Sequence, residues 1–418
     1  MKWFAAAVSA TASCRTAAPC VRLKALTWGL AIGAVLGSTS PLSAQRPEGA
    51  WDSVVTEPGV DTAFDGAVSV GDAGDFAGPS PGEAWATDCT SCDSLPCGCA
   101  DPCGRHRTAL IEICPHDHGD GCWIGRVDAL ILWRNAPPDR PILDTGVTPV
   151  LGVLNANGMD STAAAGPRFS LFRVDNCTGH AIEATYLRAA NFRSQRPLAT
   201  NPAGYALAPP GIYGNDNVQN FESGNANLGS RLQSFEFNRY HCFAKSVRFL
   251  AGFRWIEWQE QFTLQGATAG GGITDFYQTN CFNDLYGGQI GLDANLLTTR
   301  WIRFDGLIKA GAYYNNAVQS SEYTTTDPLN PGTASVAVGA SPASGAFAGE
   351  LGFTGVVPIT SCLDFRFGYF GLWLSGIAQP TQQLSSQTLT PGQPAVGTLT
   401  TNGGVVAQGV SLGLEGRW

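Results

Sequence analysis

Between Leu285 and Asn315 apolar and polar residues alternate with a period of two. Tyr286, Gly288, Ile290, Leu292, Ala294 and Leu296 share one side, while Gly287, Gln289, Gly291, Asp293 and Asn295 share the other. After Leu297–Arg300 the alternation resumes, and Ile302, Phe304, Ile308, Ala310 and Ala312 oppose Arg303, Asp305, Lys309 and Gly311. Successive strand side chains point to opposite faces, so the stretch predicts two antiparallel strands joined by a tight turn. Each run outlasts the ~5–6 residues usual for a strand. A soluble sheet buries its apolar face under a second layer. Long strands with an apolar outside and a charged inside also fit a membrane-spanning barrel, in which lipid takes the role of the core.

The same pattern predicts a first strand from Cys122 and further strands near 167–176, 179–190, 229–241, 245–258, 284–297, 300–315, 345–357, 361–375 and 405–418. Connections after the even-numbered strands are tight: Cys177-Thr178, Cys242 to Ala244, Thr298-Thr299 and Pro358 to Thr360. Those after the odd-numbered strands, near 135–166, 191–228, 259–283, 316–344 and 376–404, are long and rich in Gly, Pro, Asn and Thr. Outer-membrane barrels place short turns on one rim and long loops on the other. A sandwich has no reason to sort its loops this way. The expected fold is therefore all-β: a closed antiparallel transmembrane barrel of about ten strands behind a disordered cysteine-rich N-terminal segment. In the first strand Trp123 and Trp133 share a face with Val127, Ala129 and Ile131. Ten tilted residues separate two such rings by about 25 Å, the height of an apolar belt between aromatic girdles. Trp255, Trp258, Trp301, Tyr313, Tyr314, Trp373 and Trp418 are expected in the same girdles.

Composition narrows the class. Charged residues make up 14%, there are 51 glycines, and mean hydropathy is near zero. Beyond the N-terminus no apolar run reaches the ~18 residues of a membrane helix. Arg22 and Lys24 precede an apolar run from Ala25 to Gly37 and then Leu42-Ser43-Ala44, which reads as an export signal over residues 1–44. Residues 45–88 read as a flexible acidic tether. From Gln45 to Gly121 fourteen acids face three arginines, a net −11 within a chain of −9. No basic patch invites nucleic acid.

Residues 89–121 form a cysteine-rich segment expected in the periplasm, ahead of a barrel over 122–418. Cys89, Cys92, Cys97, Cys99, Cys103, Cys114 and Cys122 crowd together there with His116 and His118 nearby. Export favours disulfides over zinc, and the spacing repeats no CxxC pair. Cys122, Cys177, Cys242 and Cys362 fall at the short-turn rim, where disulfides would tie the segment to the barrel; Cys281 falls on the other side. No metal or cofactor is expected.

The motifs also carry a resemblance. Trp123-Ile-Gly-Arg-Val-Asp-Ala-Leu-Ile-Leu-Trp133 with Pro137-Pro138, Gly179 to Tyr186, Ala251-Gly252-Phe253-Arg254, Tyr286 to Leu292, and Gly413 to Trp418 resemble the planctomycete β-barrel porin family numbered seven in its series. The resemblance covers Cys122 to Trp418 and implies an outer-membrane barrel. It departs from the family at Asp139-Arg140-Pro141, which bears on the first loop alone. By the same analogy, the aromatic Trp418 on the last strand is the kind of signal that barrel-assembly machinery reads.

Alternation turns Arg126, Arg134, Arg248, Arg254, Arg303, Lys309, Arg366 and Arg417 inward with Asp128, Glu183, Glu236, Asp293, Asp305, Glu350, Asp364 and Glu415. A channel steering one sign of ion carries an excess of charge; this interior is balanced. Ten strands also enclose little more than the eight-stranded barrels that side chains fill. The expected role is structural or that of a narrow porin-like channel, with the lipid bilayer as partner. The competitor is a secreted or surface-displayed adhesive β-sandwich. Catalysis is not expected, since His180 and His241 stand beside short turns and His106, His116 and His118 precede the barrel.

Overall fold

The computed structural model describes residues 122–144, 152–175, 180–198, 223–244, 246–267, 272–326, 331–339 and 344–418. The chain divides into two units, Met1–Cys97 and Gly98–Trp418, and every described residue belongs to the second. The expected signal, tether and cysteine-rich segment all lie outside the described residues.

Ten long strands carry the fold: β1 (Cys122–Arg134), β2 (Ala164–Val174), β3 (Ala181–Leu198), β4 (Ser223–Ala244), β5 (Val247–Ala267), β6 (Thr274–Thr298), β7 (Arg303–Thr325), β8 (Gly345–Pro358), β9 (Leu363–Ile377) and β10 (Gly403–Arg417). Each pairs antiparallel with its sequence neighbours, and β10 returns to β1 through pairs such as Val410↔Ile131. The sheet is a closed ten-stranded cylinder with every ladder satisfied. Besides the cylinder the described residues form only two two-stranded sheets, at 141–144 with 152–155 and at 387–388 with 396–397, too small to face it as the second layer of a sandwich.

Pleating sets the faces. On β6 and β7 the cross-strand pair Leu292↔Ile308 lies outside, while Lys309, paired with Gly291, points in and is buried. From Ile131 on β1 round to Leu412 on β10, each strand exposes at least one large apolar side chain outward. The result is a continuous apolar belt. Trp123, Trp133, Trp301 and Trp418 are exposed, and Trp123 and Trp418 exchange backbone hydrogen bonds at the short-turn rim. Trp255 and Trp373 lie half-buried on the outer face. Trp373 lies flat across Gly349 on the adjacent strand, where an added Cβ would come 2.0 Å from its ring.

Two expectations are corrected by burial. Trp258 is 0% and Tyr313 4% exposed, and both point inward rather than into a girdle. Alternation itself requires this, since Trp258 shares parity with Arg254 and Ile256, and Tyr313 with Lys309.

The long-loop side differs most from expectation. Much of 191–228, 259–283 and 316–344 is strand, because β4 to β7 run 22, 21, 25 and 23 residues. A further strand, Gly332–Gly339, pairs back on the end of β7. These extensions are rich in Asn, Thr, Ser and Gln and carry their scattered apolar residues, such as Leu228, Phe262 and Leu264, on the inner face, so they lack the apolar outer side of the belt, yet their ladders continue. They build a tall wall beyond the belt. Residues of the first and last long loops fold onto its inner face. Ile142, Leu143 and Met159 meet Leu384 and Leu389 there, over Leu228, Phe262 and Tyr277.

Candidate functional site

The interior of the cylinder is the candidate site, and it is stratified. At the short-turn rim Cys122, Ile124, Phe172, Val174, Tyr240 and Leu250 form an apolar floor on one side. Above it lies a charged layer. Glu415, 0% exposed, accepts from Arg126 Nε at 2.7 Å, Arg366 Nη1 at 2.8 Å and Arg417 Nη2 at 2.9 Å, with Arg303 Nη2 at 3.7 Å. Asp364 takes Arg417, Asp305 takes Arg303 and Asp293 takes Arg248. Asp128 accepts from Arg168 Nη2 at 2.8 Å, with Arg366 Nε at 3.6 Å.

Next comes a second knot. Glu236 accepts from Lys309 Nζ at 2.7 Å, Gln289 Nε2 at 2.7 Å and Asn238 Nδ2 at 3.1 Å. Arg254 Nη1 donates to Glu350 at 2.7 Å, and Lys309 also faces Glu350 at 3.5 Å. Glu183 accepts from Tyr240 at 2.8 Å and Asn238 at 2.9 Å. Low local dielectric strengthens such pairs, and it equally penalises any member left alone. Between the two knots a cavity of about 60 Å³ remains, enough for a few waters and lined by Arg126, Asp128, Glu236, Lys309 and Glu350 among others.

Of the sixteen charged side chains expected to face inward, fifteen lie within these layers and the sixteenth, Arg134, is buried inside with Glu260. Arg168 and Glu260 were not anticipated. Glu260, in a stretch expected to be loop, pairs with the buried Arg134 and accepts from Ser230 at 3.1 Å. Asp275, buried on the inner face of β6 where it accepts from Tyr323 at 3.2 Å, is a further acid in the same polar upper region, so the described interior stays within one charge of balance.

Above the charges the interior turns apolar. Leu130, Leu132, Leu187, Phe192, Leu232, Ile256, Trp258, Leu285, Phe370, Leu372 and Leu374 pack across the lumen as one cluster. The last long loop then enters the barrel mouth through a short helix, α1 (Pro380–Gln383), whose four residues are all buried. Asn283 grips its entry from the wall: its Nδ2 donates to Ala378 O at 2.9 Å and its Oδ1 accepts from Ala378 N at 2.7 Å. Asn315 donates to Gly376 O at 2.9 Å, and Gln319 to Gln387 Oε1 at 2.6 Å. The loop is a plug held by side-chain amides. Asn283→Ala removes both Ala378 bonds, so limited proteolysis of the folded barrel should cut the 378–402 loop faster than in the wild type. Equal cleavage rates would show that Asn283 does not hold the plug.

Cys122, Cys242 and Cys362 stand at the short-turn rim, whereas Cys177 and the other rim-directed cysteines (Cys89, Cys92, Cys97, Cys99, Cys103 and Cys114) lie outside the described residues. Cys281 is a buried free thiol on the plug side, beside Ala317, Ala378 and Leu399.

Comparison with solved structures finds barrels of low identity. The outer membrane protease OmpT from Escherichia coli is 10% identical with a TM-score of 0.39, covering 72% of this chain and 97% of that one. A FadL homologue of Pseudomonas aeruginosa is 10% identical with a TM-score of 0.28, over 72% and 90%. The translocator domain of the autotransporter NalP from Neisseria meningitidis is 11% identical with a TM-score of 0.29, over 72% and 89%. No activity is carried over from any of them. No curated protein matches the chain. A family model described as Putative beta barrel porin-7 matches residues 129–418, essentially the whole cylinder laid out above, and the chain therefore belongs to that family.

Proposed function

We propose that this protein is an outer-membrane barrel with a filled interior, serving the bacterial envelope as a structural element or narrow porin-like conduit. The stratified interior carries the reading: charged knots, an apolar layer and a seated plug follow one another along the axis. An open diffusion pore needs a continuous wet path, and an apolar layer is where such a path dewets. The outer belt supports the location. Exposed apolar surface encircles all ten strands, far beyond the few hundred Å² that soluble monomers show, and hydrocarbon is the solvent that fits it.

Lipid is then the main partner, and barrel-assembly machinery the route of insertion. In an oxidising compartment, disulfides from Cys122 and Cys242 would tether the cysteine-rich segment to the barrel. Catalysis is not part of the reading, because His180 and His241 sit on the outer face at the short-turn rim, away from the interior carboxylates.

The test is electrical. Purified protein in planar bilayers should show no steady conductance, or a small one. Large, weakly selective steps would overturn the filled-interior reading. The same preparation should need detergent for extraction and migrate faster on a gel before boiling than after.

A further inference from the structure

We infer that His180 and His241 form a binding site for one divalent late-transition-metal ion, zinc or copper(II), on the outer face at the short-turn rim. The two residues are 61 apart in sequence. Register joins them: Ala181 pairs with Tyr240, which sets His180 directly across from His241 on the neighbouring strand. Their rings stack with centroids 4.7 Å apart and 26° between planes, and the two Nδ1 atoms share a hydrogen bond at 3.1 Å.

That separation has a chemical meaning. Two imidazole nitrogens each ~2.0–2.1 Å from a shared ion, at an angle of about 95–100°, stand this far apart. The angle lies between the tetrahedral arrangement of zinc and the tetragonal one of copper(II), and imidazole suits both. Calcium and magnesium, which take oxygen ligands, do not fit. Binding replaces the contact between the rings: both imidazoles swing out of the stack until their Nδ1 lone pairs converge on one ion, and His241 is exposed enough to let it enter. Among the described residues no third histidine, cysteine or acid completes a cluster, and the pair supplies two nitrogen ligands.

The surrounding charges allow a cation. Asp175 follows β2 beside His180, to whose carbonyl its N–H donates at 2.9 Å. Arg173 is turned toward Trp123, 5.5 Å from its ring centroid, rather than toward the imidazoles. Arg239 lies on the same face two residues before His241, nearer the belt. The site is separate from the barrel interior and does not depend on the filled-interior reading.

The experiment uses the full chain, untagged and folded in detergent micelles, titrated with zinc by calorimetry and with copper(II) by electron paramagnetic resonance. One ion should bind saturably, and the copper spectrum should report two nitrogen ligands. His180→Ala and His241→Ala should each abolish this binding while leaving the unboiled gel band in place. A background variant, His116→Ala with His118→Ala, should retain it. Failure of the wild type to bind, binding that survives either rim substitution, or binding that requires His116 and His118 would each overturn the proposal.

Discussion

Replacing Glu415 with Gln should destabilise the barrel by about 3–5 kcal/mol, the cost of breaking a buried ion pair from one side. Glu415 is wholly buried and faces four guanidinium groups, those of Arg126, Arg303, Arg366 and Arg417. The amide preserves shape and one acceptor but removes the only charge common to all four. Asp128, Asp305 and Asp364 remain, each already engaged with an arginine of its own. Three of the four arginines are buried too, so water cannot take over. The control is Asp160→Asn. Asp160 faces Arg196 at 3.6 Å with side chains 79% and 46% exposed, and its loss should cost no more than ~1 kcal/mol. Denaturant titration of both variants in detergent or lipid vesicles measures the difference. Equal, small effects would mean that the interior is hydrated and the knot loose.

Substituting Leu292 by Arg should cost about 2–4 kcal/mol in a bilayer, the depth-dependent penalty for a cation on the lipid face near the midplane. Leu292 is 43% exposed, and its cross-strand neighbours on either side, Phe249 and Ile308, also point outward. An arginine there has no carboxylate within the belt to meet. Asp293→Asn, one residue on, acts on the other face. It breaks the partly solvated pair with Arg248, so its cost should be smaller, on the order of 1 kcal/mol. Folding titrations into vesicles compare the two. A reversed order would mean that the strand is displaced by one residue, which exchanges its faces.

Much of this architecture was legible in the chain, and the misses are instructive. Alternation put Arg126, Asp293, Lys309 and Glu350 on the inner face because facing is a local property of the pleat. The same rule places Trp258 and Tyr313 inside. Assigning them to girdles gave an aromatic preference for interfaces priority over parity, although aromatic rings also fill lumens. Glu260 was hidden because the upper half of β5 inverts the pattern of the belt: Trp258, Phe262 and Leu264 face inward while Gln259, Gln261, Thr263 and Gln265 face outward, so a search for an apolar outside stops short of it. The 378–402 segment looked like an ordinary surface loop, since its many Gln and Thr residues give no sign that Asn283, Asn315 and Gln319 await them inside the wall.

The sequence by itself determined that the chain forms strands, that the charged residues of the belt region turn inward, and that short and long connections sort to opposite rims. Those properties follow from the two-residue pleat and from hairpin length, and neither depends on distant partners. Only the tertiary structure decided who meets whom. Glu415 reaches Arg126 across 289 residues, His180 reaches His241 across 61, and the last loop turns into the lumen rather than away from it. Register and ring closure set these meetings, and both are collective properties of ten strands that no single segment carries.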